Sequence, residues 1–333
     1  MSNPTLPTIA DTSGARAPTA PRGGIVRRPE AGIEARRSPL VSIELLRFIS
    51  ALGIVWFHLR APGGSIAYSG LPLFLIVSAY FTIGTAGRGD WTQFWTGRLQ
   101  RLALPWIAWS AFYLALDLYR YGGLSPDSHL VTPGQLLLIG GSLHLWFLPF
   151  LLLVSGPVRL VARRIGSGSD TLWLTLACLP LALGALYAHS RVLFPAPFAQ
   201  WSMALPAVCY GVIAGEGRRW DMRGVSALFL AALAATAFAT GSTDGLLQLA
   251  IAAAAFELAL RLDLGPRLPL GIDLLALGRL SFGIYLIHPF CILIYFKFFP
   301  ADGHSLGEVF AVFLMAACFT AAMQRLPGLR RLV

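Results

Sequence analysis

The sequence predicts an all-α, polytopic membrane protein of about ten transmembrane helices with both termini in the cytoplasm. Three observations carry that prediction. Of 333 residues, 56% are apolar and only 13% charged, with a mean hydropathy of +0.66, whereas about a quarter of a typical soluble domain is charged. Ten apolar runs follow one another from residue 41 onward with no long polar interval. The arginines fall almost wholly into alternate loops, as topology signals do. A disordered chain, a coiled coil and an ordinary soluble enzyme are thereby excluded. The net charge of +10 could suggest nucleic acid, but the basic residues lie in short loops between apolar stretches. The expected partner is the lipid bilayer, with no nucleic acid.

Residues 1–38 are rich in Arg, Pro, Ala, Gly and Ser and lack the apolar stretch of a signal peptide. They read as a disordered cytoplasmic tail, and 39–333 as one transmembrane domain. The apolar cores are 41–59, 71–86, 102–119, 143–161, 171–188, 198–215, 225–240, 245–260, 274–296 and 306–324. Several are shorter than the ~20 residues that cross a bilayer untilted, and Gly and Pro within them predict kinks. With the N-terminus inside and alternating spans, 20 of the 26 basic residues are cytoplasmic. Only Arg60, Arg120, Arg191 and Lys297 lie outside, while Arg47 and Arg279 sit in or at the edge of helices.

An ionisable side chain within a span costs at least about 2.5 kcal/mol on insertion scales and marks a candidate site. The first span carries Glu44, Arg47 and His58. Eleven helical steps of about 100° make three turns plus about 20°, so Arg47 and His58 share a face about 16 Å apart along the axis. Glu44, three residues before Arg47, can pair with it. A snorkelling Arg and a helix-terminal His are the simpler alternative. In the second span Ser78 either faces a substrate or bonds back to its own helix. Asp90 and Gln93 can cap a short interfacial helix before the third. Arg98 and Arg101, three apart, then face one way at the cytoplasmic entrance. They can hold phosphates bidentately or simply meet lipid headgroups.

Trp146, at the outer start of the fourth span, either contacts substrate or belongs to an aromatic belt. In the ninth span Ser281, Tyr285 and His288 fall at i, i+4 and i+7 on one face, whether for substrate or for packing. Glu257 has Arg261 four residues on, the spacing of a structural pair, and Asp117 near the outer face is a weak acceptor-side candidate. All six histidines map to the outer half or outer loops, but none has the helical spacing of paired metal ligands, so no metal is expected. Cys178, Cys209, Cys291 and Cys318 lie in apolar runs without C-x-x-C spacing and read as small buried hydrophobes. No P-loop, G-x-S-x-G elbow, H-E-x-x-H or dinucleotide fingerprint occurs, so nothing points to an ATP-driven pump, a hydrolase or a nicotinamide enzyme.

Five pieces occur in order: E-L-L-R-x10-H at 44–58, G-x-P-L-F-x-x-x-S-x-Y at 70–80, R-x-x-R-x-x-x-P at 98–105, H-L-W-F-L at 144–148 and S-F-G-I-Y-L-I-H-P at 281–289. Together they make the chain resemble the acyltransferase-3 family of membrane acyltransferases, in the stand-alone form without an SGNH-type domain. Pro72 and Ala79 stand where many relatives carry Asp and Gly. The resemblance implies transfer of an acyl group, acetyl or succinyl, from cytoplasmic acyl-CoA to a hydroxyl. The implied acceptor is a carbohydrate, such as a surface polysaccharide or its lipid-linked precursor, and the implied location is a bacterial inner membrane. It further implies that Arg47 and His58 are essential and that Arg98 and Arg101 serve donor binding. In the mechanism this allows, His58 deprotonates the acceptor hydroxyl or itself takes the acyl group, Arg47 orients Glu44 and the donor or stabilises developing negative charge, and Ser78, Trp146, Ser281, Tyr285 and His288 orient substrates. A succinyl donor would want a further cation near the acyl end, for which Arg279 is a candidate. Acyl-CoA enters as co-substrate, with no bound cofactor. The alternatives are a transporter or flippase for a glycolipid or metabolite, and a non-catalytic partner in glycan assembly.

Overall fold

Lipid offers no hydrogen-bond partners, so each apolar run must satisfy its backbone within itself, which a helix does. A computed structural model describes residues 39–125, 132–262, 264, 271, 273–299 and 304–333. The tail 1–38 and His129 lie outside the described residues. Helix α1 (Pro39–His58) is followed by the short α2 (Gly64–Ala67) and by α3 (Gly70–Gly84). Arg60, at φ 53°, turns the chain between α1 and α2. Then α4 (Trp91–Arg98), a π-helical turn (Leu99–Ala103) and α5 (Leu104–Tyr121) form one continuous rod. The interfacial helix expected at Asp90 is thus fused to the third span, and Asp90 caps it by accepting from Gln93 N–H at 2.7 Å. After the short α6 (Pro133–Ile139), a 3₁₀ turn (Leu143–Trp146) leads into α7 (Phe147–Arg164). There follow α8 (Gly168–Arg191), α9 (Phe198–Arg219), α10 (Val225–Thr240), α11 (Leu246–Ala259), α12 (Leu274–Phe298) and α13 (Leu306–Arg325). A 3₁₀ turn (Leu329–Arg331) closes the order.

Eight of these helices or helix pairs are long and apolar enough to cross a membrane. The other two expected spans are α10 and α11, of 16 and 14 residues. At about 1.5 Å per residue they reach only about 24 and 21 Å, short of a ~30 Å hydrocarbon core. Side-chain bonds tie neighbouring segments together at two opposite ends. At the arginine-rich end Arg219 reaches the Ala162 carbonyl at 2.8 Å, and Gln324 the Arg279 carbonyl at 2.9 Å. At the other end Gln248 reaches the Ser65 carbonyl at 3.1 Å, and Arg191 the Thr240 carbonyl at 2.9 Å. Trp173, Leu228 and Phe238 point outward, as residues facing lipid do.

Two local expectations are corrected. Glu257 pairs with Arg218 of α9 at 2.6 Å, not with Arg261, and also accepts from the Tyr210 hydroxyl at 3.2 Å. A cross-helix guanidinium and phenol satisfy the carboxylate more fully than a neighbour on its own helix. Cys318 is exposed, unlike Cys178, Cys209 and Cys291.

Between lipid-embedded helices, association depends on close packing and small residues rather than on expulsion of water. The extensive α3–α9 contact shows this at Gly211, where an added Cβ would meet the Ile76 backbone and come within 2.9 Å of the Ala79 Cβ. Gly211→Leu should therefore destabilise the bundle by about 1–3 kcal/mol, the usual cost of overpacking. At Gly184 an added Cβ would meet nothing within 4 Å, so Ala should be accepted there without loss. Thermal unfolding of the two variants in one detergent checks both.

Candidate functional site

Arg47 on α1 donates from one guanidinium nitrogen to both oxygens of Glu44, at 2.9 and 3.0 Å. The pair fits because Gly278 of α12 lies against it. An added Cβ there would stand 3.0 Å from the Glu44 Cα and would overlap its side chain. The ion pair expected from sequence is therefore also a helix-packing contact.

Arg47 borders a cavity of about 1090 Å³, at the upper end of the usual range for ligand sites. Among the described residues seven arginines line it, and no Asp or Glu. Arg98 and Arg101 come from the α4–α5 rod, and Arg330 and Arg331 from the final 3₁₀ turn. The segment bearing the last two is held by Trp109, whose indole N–H donates to the Leu332 carbonyl at 2.9 Å. Arg98 also donates to the Thr82 hydroxyl and lies 5.5 Å from the Phe94 ring. Arg88 and Arg159 complete the set. Arg159 is only 2% exposed. It donates to the carbonyls of Arg88, Gly89 and Asp90 at 2.9, 2.8 and 3.3 Å, and its guanidinium lies 4.6 Å from the Phe94 ring. Its role is to hold the α3–α4 turn at the mouth.

Away from the arginines, the lining ends in Phe74, Phe147 and Tyr285. Their rings touch, at 6.3 Å for Phe74–Phe147 and 5.3 Å for Phe147–Tyr285. On the far side of Tyr285 lie three histidine rings. His58 and His288 are 4.9 Å apart by centroid, and His144 and His288 are 5.4 Å apart. Their support comes from Pro289 inside α12. A proline has no N–H, so the carbonyl four residues earlier, that of Tyr285, loses its helical donor. His288 Nδ1 takes the vacant position at 2.7 Å. The neighbouring Leu286 carbonyl accepts from the Tyr113 hydroxyl at 2.8 Å and from His144 Nε2 at 3.2 Å. The Tyr285 hydroxyl donates to the His144 carbonyl. His144 and His288 are buried, whereas His58 is exposed.

Of the residues singled out from sequence, Arg47, Ser78, Arg98, Arg101 and Tyr285 line the cavity. His58 and His288 stand beyond Tyr285. Ser281 is buried and donates back to the Gly278 carbonyl at 2.7 Å. Trp146 is buried against Phe147 and Phe150 and does not line the cavity. Arg279 lies off the cavity, is 62% exposed and faces Asp273 at 3.8 Å. It is therefore not the cation suggested for an acyl end. Asp117 accepts from the Ser125 N–H at 3.2 Å, a loop-holding contact. Sequence alone marks Arg159, Arg330 and Arg331 only as topology signals and gives His144 no role. The order H-L-W-F-L is visible, but no spacing rule connects His144 to a residue 144 positions later. Among the described residues no group of three His, Cys, Asp or Glu side chains is arranged to hold a metal ion.

A family model described as an acyltransferase domain matches residues 40–325. No curated protein and no solved structure matches the chain.

The turn at the mouth supplies a test of this geometry. All three carbonyls meet a single guanidinium nitrogen, so Arg159→Leu, which keeps apolar bulk but has no donor, leaves them unpaired. The expected result is a loss of about 1–3 kcal/mol of stability and faster hydrogen exchange over residues 86–90. Unchanged exchange there would show that the turn holds without the guanidinium.

Proposed function

The chain belongs to the acyltransferase-3 family of membrane acyltransferases, and from that premise we propose that it is an acyl-CoA-dependent O-acyltransferase. In this reading an acetyl or succinyl group passes from cytoplasmic acyl-CoA to a hydroxyl of a carbohydrate, such as a surface polysaccharide or its lipid-linked precursor. The membrane would be the inner membrane of a bacterium. The observation that carries the proposal is the arginine-lined cavity, whose lining reaches Tyr285, with the His288 ring 6.0 Å from Tyr285 and the His58 ring 4.9 Å from His288.

Acyl-CoA carries several phosphate charges, and a cavity lined, among the described residues, by seven arginines and no carboxylate suits such an anion. The donor would enter at the arginine-rich end, taken as cytoplasmic. Arg98, Arg101, Arg330 and Arg331 would hold its phosphates, and its arm would run past Arg47 toward Phe74, Phe147 and Tyr285. Arg47 lies about 16 Å from His58 along α1, too far for both to touch one carbonyl. It is thereby better suited to holding the donor than to stabilising the reacting oxygen. The acceptor would come from the opposite end, where His58 is exposed. His58 would take the hydroxyl proton as the oxygen attacks the thioester carbon. The C–S bond then breaks, and the CoA thiolate leaves and recovers the proton from the imidazolium. The rings of Phe74, Phe147 and Tyr285 would have to part for the acyl end to reach that oxygen.

The decisive measurement is release of free CoA from a panel of acyl-CoAs by protein in nanodiscs, with and without a glycolipid extract. Release that requires the extract and is lost in His58→Ala, by about a hundredfold or more, is the expected result. No release with any donor from folded protein would overturn the proposal. The Arg330→Ala/Arg331→Ala double variant should raise KM for acyl-CoA about tenfold or more, since each ten-fold step needs only about 1.4 kcal/mol. Its kcat should change little.

A further inference from the structure

His288 Nδ1 faces the Tyr285 carbonyl, which can only accept, so Nδ1 carries the proton and Nε2 presents a lone pair. That Nε2 is buried and has no partner among the described residues, an expensive condition for a polar atom inside a membrane protein. His144 cannot relieve it. Its Nε2 donates to the Leu286 carbonyl, and its Nδ1 accepts from the Ser142 hydroxyl at 3.0 Å. Tyr285 donates its hydroxyl to the His144 carbonyl and has no second proton to offer. The remaining ring beside His288 is that of His58, with centroids 4.9 Å apart and planes inclined by 43°. An N–H···N bond of about 3 Å between two imidazoles places their centroids about 5 Å apart. The two rings therefore already stand at the separation such a bond requires.

We propose that His288 is a positioning residue for His58: its Nε2 lone pair accepts the His58 N–H and so fixes which His58 nitrogen is left to take the acceptor's proton. The inference rests on the reading of His58 as the base. It extends that reading into a chain in which the Tyr285 carbonyl, opened by Pro289, sets the tautomer of His288, and His288 sets that of His58. The same proton stays in the bond when His58 becomes an imidazolium, so the partner holds the ring through both halves of the transfer.

Two substitutions separate this role from mere packing. His288→Asn keeps an amide N–H where Nδ1 stands and loses the acceptor at the Nε2 position. His288→Gln places an amide oxygen near the Nε2 position and gives up the bond to the Tyr285 carbonyl. Positioning predicts that His288→Gln retains kcat within about tenfold while His288→Asn loses about a hundredfold or more, with KM for acyl-CoA unchanged in both. If Asn equals or exceeds Gln, His288 serves only to plug the carbonyl and the proposal is wrong. If either variant fails to fold, ¹⁵N NMR of ring nitrogens in the unmodified protein decides the matter. One tautomer at His58 supports the proposal, and a mixture of both overturns it. Full transfer by His58→Ala would remove the underlying assignment of the base. Loss in His58→Ala with normal His288 variants would remove only this inference.

Discussion

Inside a bilayer a polar group has no water to fall back on, and the architecture of this protein follows from that constraint. Its effect is clearest at Pro289. One missing N–H in α12 leaves the Tyr285 carbonyl without its helical donor. The bundle answers with His288 at that carbonyl and with Tyr113 and His144 at the next one. Side chains from α5 and from the turn before α7 thus converge on the same turn of α12 as His288. His58, at the end of α1, joins them through its contact with His288.

The same constraint acts at the arginine-rich end with charge instead of imidazole. Arg159 is buried but surrounded by three carbonyls and an aromatic face, Arg218 is paired with Glu257, and Arg219 with Glu216 and the Ala162 carbonyl. These cations stiffen the connections between helices. Arg101, Arg330 and Arg331 line the cavity, which among the described residues has no carboxylate in its lining, and this makes the described lining electropositive. Structural and ligand-facing arginines are thus separated by what surrounds them, although in sequence they look alike.

The bundle therefore has two differently built ends joined by a narrow middle. One end is an open, charged cavity suited to an anionic donor; the other is a cluster of histidine rings with His58 exposed. Phe74, Phe147 and Tyr285 lie between them. In the proposed reaction these rings part for the acyl end, the only portion of the donor that needs to pass them.

The sequence by itself determined the helical membrane class, the ten segments, the Glu44–Arg47 pair and the shared placement of Arg98 and Arg101. These properties depend on local periodicity: apolar runs, i to i+3 spacing and the charge of short loops. Its five short motifs also sufficed to indicate the family. Only the tertiary structure decided that Glu257 answers Arg218 rather than Arg261, that Arg330 and Arg331 border the cavity, and that Ser281 and Trp146 do not. It also brought His144 beside His288, though 144 residues separate them in the chain. Such pairings depend on which faces of distant helices meet, and that is fixed by the joint packing of small residues and the demand for hydrogen bonds across the whole bundle, which no local spacing contains.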